Sequence, residues 1–241
     1  NDLKVVRSVT PASKNPVSGN TSALIKNRDD WELNWSNITN TSPGNAYYGM
    51  VSAKYPGTYA NGLRVHVYAN NSSVTSAEWT NWPYQSQFNG PPGTSKYVSD
   101  RGGANDEIHI VVVDMNGTWA GGIANSVVEK FSNLSVARDA KNYDGSSNYY
   151  VNVINEKSQY VYIMHHAQYQ NANTWFADTT TWGLPSAQIV GATNSQFSQG
   201  NTVYTSTLAG GITSTVTDAN RITAYNNFLN AEQAPISLLL M

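Results

Sequence analysis

Cysteine is absent from the 241 residues, which removes disulfides, thiolate nucleophiles and cysteine-ligated zinc together. Charge is scarce as well: Asp, Glu, Lys and Arg make up 12% of the chain and nearly cancel, leaving a formal net charge of −2. Holding a phosphate backbone takes a cationic field. None is written here, so nucleic acid is not an expected partner. No run of about eighteen apolar residues occurs, so no segment has the make-up of a membrane-crossing helix, and a membrane is not an expected partner either. Catalytic signatures of fixed spacing are missing too. There is no His-Glu-x-x-His, no Gly-x-Ser-x-Gly elbow and no glycine-rich loop ending in Lys.

What is present is Asn, Ser, Thr, Gly and Tyr in quantity, with 15 Tyr, 18 Gly and 7 Trp. That mixture favours strands and turns over long helices. The length suits one large domain or two small ones, with a core that needs no staples. Asn-x-Ser/Thr triplets such as Asn37-Ile-Thr39 and Asn116-Gly-Thr118 follow from this composition and are not read as glycosylation sites.

Residues 1–9 alternate as a strand, with Leu3, Val5 and Val9 on one face. The stretch 10–46 is rich in turn formers, with one amphipathic patch from Leu24 to Trp35, where Asp29-Asp30 suits a helical turn better than a calcium loop. Tyr55-Pro-Gly57 and Asn61-Gly62 are turns, and Leu63 to Tyr68 alternates as a half-buried strand. Residues 70–101 show little periodicity but hold Trp79, Trp82, Tyr84 and Phe88. An aromatic loop of that length must pack on its own domain or on a neighbour.

Glu107-Ile-His-Ile-Val-Val-Val-Asp114 reads as a strand buried on both faces, and Met115-Asn-Gly117 as the hairpin turn after it. Residues 127–131 are ambiguous between strand and helix. Residues 148–155 place Tyr150, Val153 and Ile154 on one helical face, and residues 158–164 return to strand. A helix from Asp218 carries the stripe Ile222, Tyr225, Phe228 and Leu229, with Thr217 as N-cap. The apolar run at 235–241 reads as a further strand, and both chain ends read as cuts through a larger protein. The sum is an α+β fold, mainly antiparallel β-sheet or sandwich flanked by a few α-helices.

Chemistry-bearing clusters are hard to find. His66 and His109 sit inside strands. His165 and His166 are neighbours at a strand end, where side chains point to opposite faces and cannot easily grip one ion. The carboxylates Asp106, Glu107, Asp114, Glu129, Asp139, Asp144, Asp178 and Asp218 stand apart in sequence, and nothing singles out one pair for glycosidase-like work. No catalytic, metal-binding or cofactor-binding residue is nominated, no cofactor is expected, and the chain is not expected to be an enzyme.

The order of these pieces resembles one family. Asn1-Asp-Leu-Lys-Val-Val-Arg-Ser-Val9, Tyr55-Pro-Gly57, Asn61-Gly-Leu-Arg-Val-His-Val67 and the strand ending at Asp114 follow in the succession found in contractile tail sheath proteins of myoviruses. So do Val127-Val-Glu-Lys-Phe131, Asp139-Ala-Lys-Asn-Tyr-Asp-Gly-Ser146, Asn148-Tyr-Tyr-Val-Asn-Val-Ile-Asn155, Ser158-Gln-Tyr-Val161 and Leu208-Ala-Gly-Gly-Ile212. The resemblance implies that residues 127–131 are a strand. It implies a first strand at 1–10, a small surface insertion at 11–46, the main α+β sheath domain at 47–230 and the start of a truncated C-terminal sheath domain at 231–241, with the N-terminal arm missing.

It further implies a mechanical role in the virion, after assembly in the host cytoplasm. Copies form a six-fold helical sleeve around a tail tube, and contraction drives the tube through the host envelope. The partners implied are other copies, and the tube and baseplate through the full-length protein; this piece alone is expected to be monomeric. Two other classes remain open from the residues. One is a carbohydrate-binding or adhesin-like module using the loop from Trp79 to Phe88. The other is a hydrolase using converging carboxylates.

Overall fold

The computed structural model describes residues 7–19, 21, 23–36, 48–69, 76–164, 181–190, 195–197 and 203–226. Of the expected opening strand only 7–9 fall within that set, and they belong to no regular element. The expected strand at 235–241, together with His165, His166, Asp178, Phe228 and Leu229, lies outside the described residues.

A four-stranded sheet organises the molecule, in the order β4-β3-β2-β6 with every pair antiparallel. Its strands are β2 (Leu63–Ala69), β3 (Glu107–Asp114), β4 (Ser126–Ser135) and β6 (Val203–Thr207). A second, two-stranded antiparallel sheet joins β1 (Val51–Ala53) to β5 (Val161–Ile163). Short helices complete the α+β fold: α1 (Arg28–Asp30), α2 (Ser76–Asn81), α3 (Lys96–Ser99), α4 (Tyr150–Lys157), α5 (Ser186–Ile189) and α6 (Asp218–Tyr225).

The strand period decides which residues meet. Leu63, Val65 and Val67 of β2 and Ile108, Ile110 and Val112 of β3 share one face, and they join Val51, Val161, Ile163, Tyr150 and Ile154 in the main core. Each fully buried aliphatic side chain there contributes about 1.5–3 kcal/mol through apolar burial. The intermediate positions, Tyr68, Val111 and Val113, point the other way into a second cluster. β3 is therefore buried on both faces, as its Val-rich run suggests. β2 departs from half-burial at its end, where Tyr68 and Ala69 are both sequestered. The cause is a cover of α2 and its neighbours laid over that face.

β4 is a strand, and two register shifts against β3 each give it an extra residue. At one of them Asn133 takes φ 52°, a left-handed conformation that Asn tolerates better than most side chains. Bulges of this kind on a sheet edge discourage indiscriminate strand pairing. β3 and β4 do form a hairpin, but the turn expected at Met115-Asn-Gly117 is widened to a loop over 115–125. The Asp114 carboxylate gathers the N–H groups of Asn116 (3.2 Å), Trp119 (2.6 Å) and Ala120 (3.1 Å), which opens the turn.

α4 buries Tyr150, Val153 and Ile154, the face read from the sequence. α6 starts at a Thr217–Asn220 capping box, but its stripe is not covered by described residues: Ile222 is 62% and Tyr225 40% exposed, and only Ala224 is buried. Within the stretch read as an insertion, Val17, Ala23, Ile25 and Trp31 form a cluster with Tyr162 and Met164. The Trp31 ring stacks on Tyr162 at 4.2 Å, and Val17 bridges to both Ser52 and Ala209.

Candidate functional site

The carboxylates act as staples for loops. Asp106, fully buried, accepts from the Ser95 N–H (2.8 Å) and Oγ–H (2.7 Å) and from the Ser135 hydroxyl. This ties the N-cap of α3 to the end of β4. Burial raises the Asp106 carboxyl, and the Ser135 and Ser95 bonds hold it back down in part. Glu129 accepts from the Ser158 hydroxyl and the Gln159 N–H, both at 2.6 Å, and Asp139 takes both the N–H (2.8 Å) and the hydroxyl (2.6 Å) of Ser186. Burial alone would raise Asp114, but the N–H groups of Trp119, Ala120, Thr118 and Asn116 outweigh it and hold the carboxyl below its ordinary value. Asp144 accepts from its own turn at Ser146, and Asp218 pairs with Arg221. Each acid is engaged with a different serine, cation or backbone segment. Among the described residues no three His, Asp or Glu gather as a metal site.

The two described histidines are locked in place. His109 Nε2 donates to Gly90 O at 2.8 Å while Nδ1 accepts from the Asn133 N–H at 3.0 Å, and the ring lies 4.2 Å from Phe88 and parallel to it. That pattern fixes a neutral tautomer and pins the bulge at Asn133. Burial lowers its pKa, partly offset by the Gly90 bond. His66 contacts Thr205 Oγ1 at 3.0 Å, and burial, with Arg64 nearby, brings its pKa to about 4.

The aromatic segment packs on its own domain. Trp82, 3% exposed, sits 4.9 Å from Tyr68 and 5.5 Å from Phe88. Trp79 closes the cluster over the outer face of β2 and β3. A ring consumed by packing has little face left for a sugar. Tyr68 Oη and Trp82 Nε1 are buried there with no hydrogen-bond partner among the described residues.

One groove does collect charge. It holds about 1040 Å³ between α1, the turn after β1, the end of α4 and one side of α6, and its charged lining is Arg7, Lys26, Arg28, Lys54, Lys157 and one acid, Glu156. Arg28 Nη1 and Lys54 Nζ share a single acceptor, the Asn155 carbonyl, at 2.7 and 3.3 Å. Lys54 also donates to Ser158 O and lies 4.6 Å from the Tyr162 ring centroid. Arg7 donates to Lys26 O at 2.7 Å and lies 5.3 Å from the Tyr55 ring centroid. Burial lowers the pKa of both Arg7 and Lys54, and Arg28 lowers Lys54 further. Arg7 and Lys54 thus rest on carbonyls and ring faces, while Arg28 also pairs with Glu32 on its exposed side and Glu129 acts on Lys54 from a distance. No sequence pattern could have found this site, because its cations come from positions 7, 26, 28, 54 and 157 and meet only in the fold. The chain matches no protein-family model and no curated protein sequence.

Proposed function

We propose that this chain is a structural subunit of a contractile tail sheath, working through contacts between copies and without covalent chemistry. The observation that carries the reading is the order of the quoted phrases along most of the chain, from the Tyr55-Pro-Gly57 turn to Leu208-Ala-Gly-Gly-Ile212.

Two features of the fold support it. The phrases at 61–67, 107–114, 148–155 and 158–161 supply strands and a helix that meet in one core, so a resemblance in them is a resemblance in a packed body. The central strands β2 and β3 are packed on both faces, and serine-bound carboxylates staple the loops around them. Such a body is suited to move as a unit while its outer contacts exchange. An adhesin that used Trp82 would need that ring at the surface, and it is buried.

Electron microscopy of the complete gene product tests the proposal. Ordered tubes or sleeves with six-fold rings are expected. Dispersed particles at every concentration and salt, or turnover of a polysaccharide by the purified protein, would refute it.

A further inference from the structure

The cationic groove is lined by five Lys and Arg and one acid. We infer that it seats a carboxylate-bearing extended segment of a second copy of this chain, with Arg7, Lys26, Arg28, Lys54 and Lys157 as the recognising groups. The inference rests on the sheath reading for the identity of that partner.

Charge distribution argues for a second copy. Five of the chain's 14 Lys and Arg line the groove against one of its 16 Asp and Glu, so the remaining nine cations face fifteen acids elsewhere. A second copy thus brings the complementary sign on a different patch. A contact between unlike patches is heterologous, and repeated it builds a ring or a helix. A long phosphate backbone would run off the groove onto a surface of its own sign.

Size argues for a segment. A groove of about 1040 Å³ is at the upper end of small-ligand sites, and its walls spread the cations over several elements. Geometry argues for an anion. Arg28 and Lys54 converge on one carbonyl oxygen; Glu32 pairs with Arg28 on the exposed side, Glu129 is bound by Ser158 and Gln159 and offsets Lys54 only in part, and the groove lining holds five cations against the single acid Glu156. Burial first, and Arg28 beside it, lower the pKa of Lys54, and Glu129 offsets them only in part.

Arg28 and Lys54 also support the backbone at 155–158, so the test leaves them in place. Lys26 and Lys157 are exposed, and neither ammonium makes a hydrogen bond or ion pair among the described residues. The variant is Lys26→Glu with Lys157→Glu. A charge-matched control is Lys14→Glu with Lys141→Glu, outside the groove lining. Binding of a fluorescein-labelled hexaglutamate peptide to the 241-residue protein is followed by anisotropy, with a poly-dT oligonucleotide as the second arm. Equal urea midpoints for variant and control establish that both are folded.

Expected is peptide binding that weakens with salt and falls about tenfold or more in the groove variant, with the control unchanged. No peptide binding, equal loss in the control, or tighter oligonucleotide binding lost in the groove variant would overturn the inference. Imaging the complete gene product separates the two proposals. Tubes that persist in the groove variant overturn this inference and leave the sheath reading standing. Tubes that vanish in the groove variant alone support both. Wild-type protein that never forms tubes overturns the sheath reading, and with it the second copy as partner, even where hexaglutamate binds.

Discussion

Replacing Trp82 by alanine separates a packing role for the aromatic segment from a binding role. The indole is 3% exposed and touches the rings of Tyr68, Trp79, Tyr84 and Phe88 at centroid distances of 4.9, 5.8, 5.7 and 5.5 Å. Truncating a buried Trp costs about 3–5 kcal/mol, from lost apolar transfer and the cavity left behind. The value belongs near the middle of that range. The ring meets aromatic neighbours on several sides, while the indole N–H is buried with no hydrogen-bond partner among the described residues, so its removal returns part of the loss. With a urea m-value of about 3 kcal/mol/M for a domain of this size, ~4 kcal/mol moves the midpoint down by more than ~1 M. Trp82→Phe keeps ring packing and sheds the orphaned N–H, so its midpoint stays within about 0.5 M of wild type. A Trp82→Ala midpoint equal to wild type would refute the packing argument, and loss of glycan binding alongside it would establish the adhesin reading instead.

Two further outcomes follow from the same structure. Asp106→Ala strands the Ser95 N–H and two serine hydroxyls, and is expected to cost about 3 kcal/mol in urea denaturation after allowing for the relief of a buried charge; a loss under about 1 kcal/mol would show that the staple is dispensable. Acid also weakens the fold. His66 and His109 both titrate lower in the folded state than at the ordinary 6.5, His66 at about 4. The unfolded chain therefore binds more protons below pH 6.5, and stability present above that pH is lost as it falls from 6.5 towards 4. The raised Asp106 carboxyl works with the opposite sign, so the comparison of wild type with His66→Gln isolates one imidazole. The variant's midpoint is expected to depend less on pH in that window, and an unchanged slope would contradict the assignment.

Where sequence and structure agree, a local period was enough. The Val-rich centre of β3, the Tyr150, Val153 and Ile154 face of α4 and the Thr217 cap are all set within a few residues. Resemblance, and not periodicity, pointed to a strand at 127–131, because a bulged edge strand alternates poorly. The wide loop after β3 was hidden because an aspartate at position 114 overrides the turn preference of Asn116-Gly117. The outer cover of the sheet was hidden for another reason: α2 spans six residues, too few for a period to show. The staples and the groove are non-local by construction. Asp139 reaches Ser186 across 47 positions and Arg28 reaches the Asn155 carbonyl across 127, and no window on the sequence sees such pairs.

Helical reconstruction of the complete gene product at side-chain resolution bears most directly on a role played through contacts between copies. The account requires the core built on β2, β3 and α4 to keep its internal packing in every assembled state, with an acidic segment of a neighbour lying across Lys26 and Lys157. Copies that never touch, or a substrate held by converging acids within one subunit, would contradict it.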